Sequence, residues 1–103
     1  YGPIGPWVVT RDEIPDPQSL DLWLKVNGQT MQNGNTNTMI FGVRTIVSYL
    51  SQCMSLQPGD VIATGTPPGV GQGMNPPVFL KSGDTVETSV AGLGTQKQIV
   101  IER

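Results

Sequence analysis

Thr64-Gly65-Thr66-Pro67 is the stretch of this sequence whose residue types and spacing best suit the binding of a small anion. Two hydroxyls flank a glycine, and further glycines follow at Gly69 and Gly71. A loop of this kind can aim several backbone N–H groups at one point, the concavity that holds carboxylates and phosphates. The hydroxyls add donors whose protons rotate to suit the acceptor. On spacing alone an ordinary strand exit accounts for the same residues. The glycines fit neither the phosphate-loop pattern with its lysine nor G-x-G-x-x-G opening a helix, so a nucleotide is not the expected ligand.

Other chemistries are excluded by what the sequence lacks. With no histidine and one cysteine among 103 residues, it cannot build a Ser-His-Asp or Cys-His arrangement, the usual zinc sets, or an internal disulfide. Cys53 lies on the apolar face of an expected helix and reads as a small core residue. Asp12, Glu13 and Asp16 are close in sequence. They sit in a proline-rich segment, where carboxylates are solvated turn residues more often than convergent ligands of a hard cation. The net charge of −2, with Arg11, Lys25, Arg44, Lys81, Lys97 and Arg103 scattered singly, offers no basic stripe for nucleic acid. No apolar run approaches the roughly 20 residues of a membrane span. The length suits one small domain, and the absence of an initiator methionine suggests a processed product or a piece of a longer protein.

The elements that must position the anion loop are legible in outline. Leu20, Leu22, Leu24 and Val26 alternate with polar or amphipathic residues, the period of a half-buried strand. Asn27-Gly28 supplies a type I′ turn, so Gln29 to Gln32 is expected to return as a partner strand, ended by the second Asn-Gly at Asn33-Gly34. Met39, Val43, Ile46, Val47, Leu50, Cys53 and Met54 recur at helical spacing, which predicts one amphipathic helix from about Thr38 to Met54 with Gly42 packed closely against a neighbour. Leu56-Gln57-Pro58-Gly59-Asp60 and Leu80-Lys81-Ser82-Gly83-Asp84 read as one turn chemistry used twice to launch a strand: first the buried run Val61-Ile62-Ala63, then Val86-Thr88-Val90. Gly92-Leu93-Gly94 turns the latter into a closing hairpin with Gln96 to Glu102. In the Pro-rich start, Trp7-Val8-Val9 resembles a brief strand.

Taken together, four ordered motifs resemble the C-terminal part of the fumarylacetoacetate hydrolase family. They are Gly5-Pro6-Trp7-Val8-Val9-Thr10, Val26-Asn27-Gly28, Asn35-Thr36 with Met39-Ile40-Phe41, and Gly59-Asp60-Val61-Ile62-Ala63-Thr64-Gly65-Thr66-Pro67. Gly83-Asp84-Thr85-Val86-Glu87 with Gly92-Leu93-Gly94 is similar to its closing hairpin. The resemblance implies an α+β, β-dominated fold, part of a mixed β-sheet roll with one amphipathic helix, in a cytoplasmic, homodimeric enzyme. It also implies Mg²⁺ or Mn²⁺, or Ca²⁺, and hydrolase, decarboxylase, isomerase or lyase chemistry on C–C bonds of 2-oxo or 2,4-dioxo acids. The cation would act as a Lewis acid on the chelated oxo acid.

The family's metal ligands, a Glu-x-Glu pair and a later Asp, lie upstream of the Gly-Pro motif, as do its acid-base histidine and active-site lysine. Residues 1–103 are therefore expected to be the C-terminal portion of a single catalytic domain, with no catalytic or metal residue of their own and inactive alone. Asp60 and Asp84 do not match ligand positions. Thr66 matches the family threonine that binds the substrate carboxylate, and Gly65 beside it lets the backbone approach. Gly69-Val70-Gly71-Gln72-Gly73-Met74 with Pro76-Pro77 looks like members acting as ureidoglycolate lyases or diketo-deoxy sugar acid hydrolases. From another class, the alternative is a small non-catalytic β-rich binding module.

Overall fold

Asn27 at φ 51° and Gly28 at φ 81° supply the two left-handed positions of a type I′ hairpin. They join β1 (Asp21–Val26) to β2 (Gln29–Asn35). The computed structural model describes residues 2–102; Tyr1 and the basic Arg103 lie outside it. A second hairpin pairs β3 (Thr85–Val90) with β4 (Thr95–Ile99). The sheet order is β2-β1-β3-β4, and the strands present are antiparallel throughout. With one α-helix beside this sheet, the fold is α+β and β-dominated, as expected.

The first hairpin carries an irregularity that matters for the site. Lys25 pairs with Thr30, but Leu24 pairs with Gln32, so Met31 is an extra residue in β2. Such a bulge reverses which face the following residues occupy. Gln32 and Gly34 therefore share the face of their partners Leu24 and Leu22, together with Val86, Thr88 and Val90 of β3. The second Asn-Gly does not end β2: Gly34 lies within the strand, paired with Leu22. The opposite face is charged. Lys97 Nζ lies 2.7 Å from Glu87 Oε1, and this bond and charge, helped by Lys25, hold the Glu87 carboxyl below its usual range.

The repeated turn is confirmed in detail. In Gln57-Pro58-Gly59-Asp60 and Lys81-Ser82-Gly83-Asp84 the aspartate Oδ2 accepts the N–H of the first residue, at 2.7 and 2.8 Å. The aspartate N–H returns to the first carbonyl at 3.1 and 3.0 Å, and the glycines stand at φ 98° and 93°. Asp84 Oδ1 also accepts from Asn27 Nδ2 at 2.8 Å, which ties the two hairpins together and, with the Lys81 N–H, keeps its carboxyl below the usual carboxylate range.

Only the second turn launches a strand. Val61-Ile62-Ala63 finds no strand partner among the described residues, and Val61 is 72% exposed, so the expected buried strand is not formed within this chain. Turn chemistry can aim a segment; a ladder needs a second backbone. Trp7-Val8-Val9 likewise forms no strand. The Trp7 ring instead covers Gly94, where a Cβ would stand 2.6 Å from Trp7 Cζ2.

The helix is shorter than its periodicity suggests. Asn35 Oδ1 accepts the Asn37 N–H at 2.9 Å and caps a 3₁₀ turn over Thr36–Thr38, and α1 then begins afresh at Val43 and runs to Cys53. Gly42 is the N-cap of α1, not an interior residue, so the helix-interior cost of glycine does not arise. The cap comes from afar: Gln18 Oε1 accepts the Val43 N–H at 2.9 Å while its amide donates to the Thr36 carbonyl. A Cβ on Gly42 would lie 2.8 Å from that Oε1, so a larger residue there would require the capping side chain to shift. Gln18→Ala is expected to lower stability by about 1 kcal/mol, the usual worth of a lost N-cap, read from the urea midpoint.

No hydrophobic side chain is buried among the described residues. Cys53, expected in a core, is exposed, and α1 packs at most marginally on the sheet. The solvent-accessible surface is 8203 Å² for 11.0 kDa. A folded monomer of that mass has about 5,600 Å². The sheet face and the helix face are thus both largely unpartnered within this chain. No helix among the described residues is long and apolar enough to cross a membrane.

Candidate functional site

The loop Thr64–Val70 is held against β2 by glycines and by one glutamine. Pro67 sits on Gly34, where a Cβ would come within 3.0 Å of the proline Cβ. Gly69, at φ 109°, lies on the carbonyl of the bulge residue Met31, to which an added Cβ would approach within 2.0 Å. A glycine inside a strand often marks such a close backbone approach. Between these contacts Gln32 Nε2 donates to Thr66 Oγ1 at 2.7 Å and to the Pro67 carbonyl at 2.6 Å. Gln32 is 7% exposed, and it is the one buried residue among those described.

Thr66 and Gly65, the two site residues the sequence indicates, are adjacent and exposed. Gly65 adopts φ 104°, so glycine is needed there for conformation, and its Cβ direction meets nothing within 4 Å. Among the described residues, no backbone N–H from Thr64 to Thr66 has a hydrogen-bond acceptor, and the Thr64 hydroxyl has no partner. The Thr66 hydroxyl reaches one internal acceptor, the Pro67 carbonyl, at 3.5 Å, well beyond the 2.5–3.0 Å normal for O–H···O.

The loop forms one wall of an open groove of about 690 Å³, whose other side includes Leu22, Met39, Ile40, Phe41 and Ile46. Among the described residues, no charged one lines it. Because α1 starts only at Val43, Ile40 and Phe41 stand ahead of the helix beside the loop, 92% and 64% exposed. The groove therefore combines neutral donors, those of the loop and of Asn35, Thr36 and Thr38, with a mostly apolar lining, a form suited to a short organic acid. Among the described residues no three His, Cys, Asp or Glu side chains are grouped to hold a metal ion. This donor set does not fit a divalent cation.

The family described as fumarylacetoacetate (FAA) hydrolase, C-terminal, matches residues 1–101. The chain belongs to the fumarylacetoacetate hydrolase family. A Burkholderia cenocepacia protein carrying a provisional hydrolase name is 67% identical over 99 residues, which are 95% of this chain and 35% of that protein. The fumarylacetoacetate hydrolase of psychrophilic Exiguobacterium antarcticum superimposes with a TM-score of 0.94 at 46% identity, over 98% of this chain and 36% of that one. The maleylpyruvate hydrolase of Sphingobium sp. SYK-6, in complex with manganese(II) and pyruvate, has a TM-score of 0.84 at 38% identity, over 94% of this chain and 34% of that one. Similar structures also include isomerases. The chain spans about a third of the length of the curated relatives it matches.

The sequence indicates Thr66 and Gly65 but not Gln32, Gly34 and Gly69 as the residues that seat the loop: Gly34 reads as the end of a strand, and Gly69 as one more glycine of the loop itself.

Proposed function

We propose that this chain is the carboxylate-binding portion of a catalytic domain that acts on C–C bonds of 2-oxo or 2,4-dioxo acids, of the acylpyruvate type. In this reading an N-terminal portion supplies the divalent cation site and the acid-base groups. The observation that carries the proposal is the unspent donor set at Thr64–Thr66: two hydroxyls and three backbone N–H groups in the wall of a mostly apolar groove. A carboxylate offers about four lone-pair sites and takes such donors as charge-assisted bonds. The Thr66 hydroxyl holds the acid end, and the flank of Met39, Ile40 and Phe41 receives the carbon skeleton and keeps water from it.

Family membership supports hydrolase or isomerase activity, and the manganese and pyruvate in the Sphingobium enzyme support a cation acting beside a 2-oxo acid. The described residues of this chain do not themselves fit that cation. A stand-alone binding module would need a core of its own, and no hydrophobic residue is buried among those described.

Thr66→Val in the full-length protein tests the assignment. Pyruvate binding, measured by calorimetry, is expected to weaken by about 1–3 kcal/mol, the usual cost of losing a hydrogen bond to a charged group. Unchanged affinity, Michaelis constant and turnover would remove Thr66 from the site.

A further inference from the structure

We infer that Gln32 is a positioning residue that fixes the Thr66 hydroxyl as a donor toward the ligand; the inference rests on the carboxylate reading of Thr66. A threonine hydroxyl can donate or accept, and a free one rotates between the two roles. Here the choice is made by the Pro67 carbonyl. That oxygen can only accept, and it lies 2.6 Å from the end of the Gln32 amide. With the amide reversed, two acceptor oxygens would face each other with no proton between them, so the NH₂ group faces the loop. Its second proton then goes to Thr66 Oγ1 at 2.7 Å.

The consequence falls on Thr66. Its oxygen is occupied by a donor, and the Pro67 carbonyl, already bonded to Gln32, is too far at 3.5 Å to hold the hydroxyl proton. The proton is left for an acceptor in the groove. An accepted bond also polarises the O–H group, making it a better donor. The burial of Gln32 keeps water from competing at its own end of both bonds. The bulge at Met31 makes this possible, because it sets Gln32, together with Gly34 on which Pro67 docks, opposite Leu24 and Leu22 and away from the face of Lys25 and Glu87.

The test is a double-mutant cycle in the full-length protein with pyruvate as the probe. Gln32→Met retains the side-chain length and removes both donors. It is expected to weaken pyruvate binding about fivefold or more in the wild-type and Thr66→Ser backgrounds, where the hydroxyl is present. In the Thr66→Val background the same change is expected to have less than about a twofold effect, since groups acting through one another are not additive. Equal losses with and without the hydroxyl, or no loss in either, would overturn the positioning role while leaving Thr66 in the site. If Thr66→Val alone has no effect, the carboxylate reading fails first.

A second measurement leaves Gln32 unchanged and so does not depend on that variant folding. The Gln32 side-chain amide protons are expected to be protected from solvent exchange in nuclear magnetic resonance spectra, with one of the two shifted by Thr66→Val and the same one shifted by pyruvate. An amide that exchanges freely and ignores both changes would overturn the assignment.

Discussion

Gly69→Ala is expected to abolish pyruvate binding within the measurable range and to lower the melting temperature of the full-length protein by on the order of 10 °C. Two independent costs meet at this position. The backbone stands at φ 109°, which an L side chain rarely adopts, and the added Cβ would fall 2.0 Å from the Met31 carbonyl oxygen and 3.0 Å from its carbon. The obstacle is strand backbone, which cannot swing aside as a flexible side chain can. The loop must lift from β2, and with it go both Gln32 hydrogen bonds. A strained conformation costs roughly 1–3 kcal/mol. Two lost hydrogen bonds add about 1 kcal/mol each, and 2–4 °C per kcal/mol is usual for domains of 150–250 residues.

Gly65→Ala provides the internal comparison. It carries the same kind of backbone strain at φ 104° but has open space where its Cβ would go. It is expected to be the milder change in melting temperature. If Gly69→Ala binds pyruvate and melts like the wild type, the loop is not seated on the β2 bulge, and the account of the site falls with it.

How far the sequence revealed this arrangement depends on which interactions were local. Asn27-Gly28 and the paired Gly-Asp turns encode their geometry within four residues, and all were legible. Gly65 and Thr66 are proposed from the family pattern, and the structure adds that they stand exposed on the loop. Gln32 was not legible, because its face depends on the bulge. In the regular register of a two-residue hairpin it would lie opposite Trp23, on the charged face; the extra Met31 moves it opposite Leu24. Nothing in the alternation of β1 announces that step. Gly34 and Gly69 were visible as glycines, but the sequence cannot distinguish a glycine that turns the chain from one that lets another backbone approach. Val61-Ile62-Ala63 shows the converse. Its composition suits a buried strand, and what it lacks among the described residues is a partner.

That missing partner leads to the other large effect. Expressed alone, the 103-residue chain is expected not to behave as an 11 kDa monomer: it should elute larger in gel filtration, bind a hydrophobic dye and melt without a cooperative transition. Its accessible surface exceeds that of a folded monomer of its mass by roughly 2,600 Å². Obligate interfaces bury 2,000–5,000 Å² or more over both partners, about half of that on each, so an excess of this size on one side is as large as the proposed sharing of a core with a second portion requires. The apolar residues involved are spread over several segments: Ile40 and Phe41 ahead of α1, Val47 on it, Met54 at its C-cap, Val61 before the loop, and Phe79 after it. Exposed patches of this extent associate with something. Co-expression with the N-terminal portion of the full-length protein is expected to give a monodisperse complex with one sharp melting transition. The decisive contrary result is a monodisperse 11 kDa species that melts cooperatively without a partner. It would mean that the chain finds a core of its own, and the division of one active site between two portions of a domain would have to be abandoned.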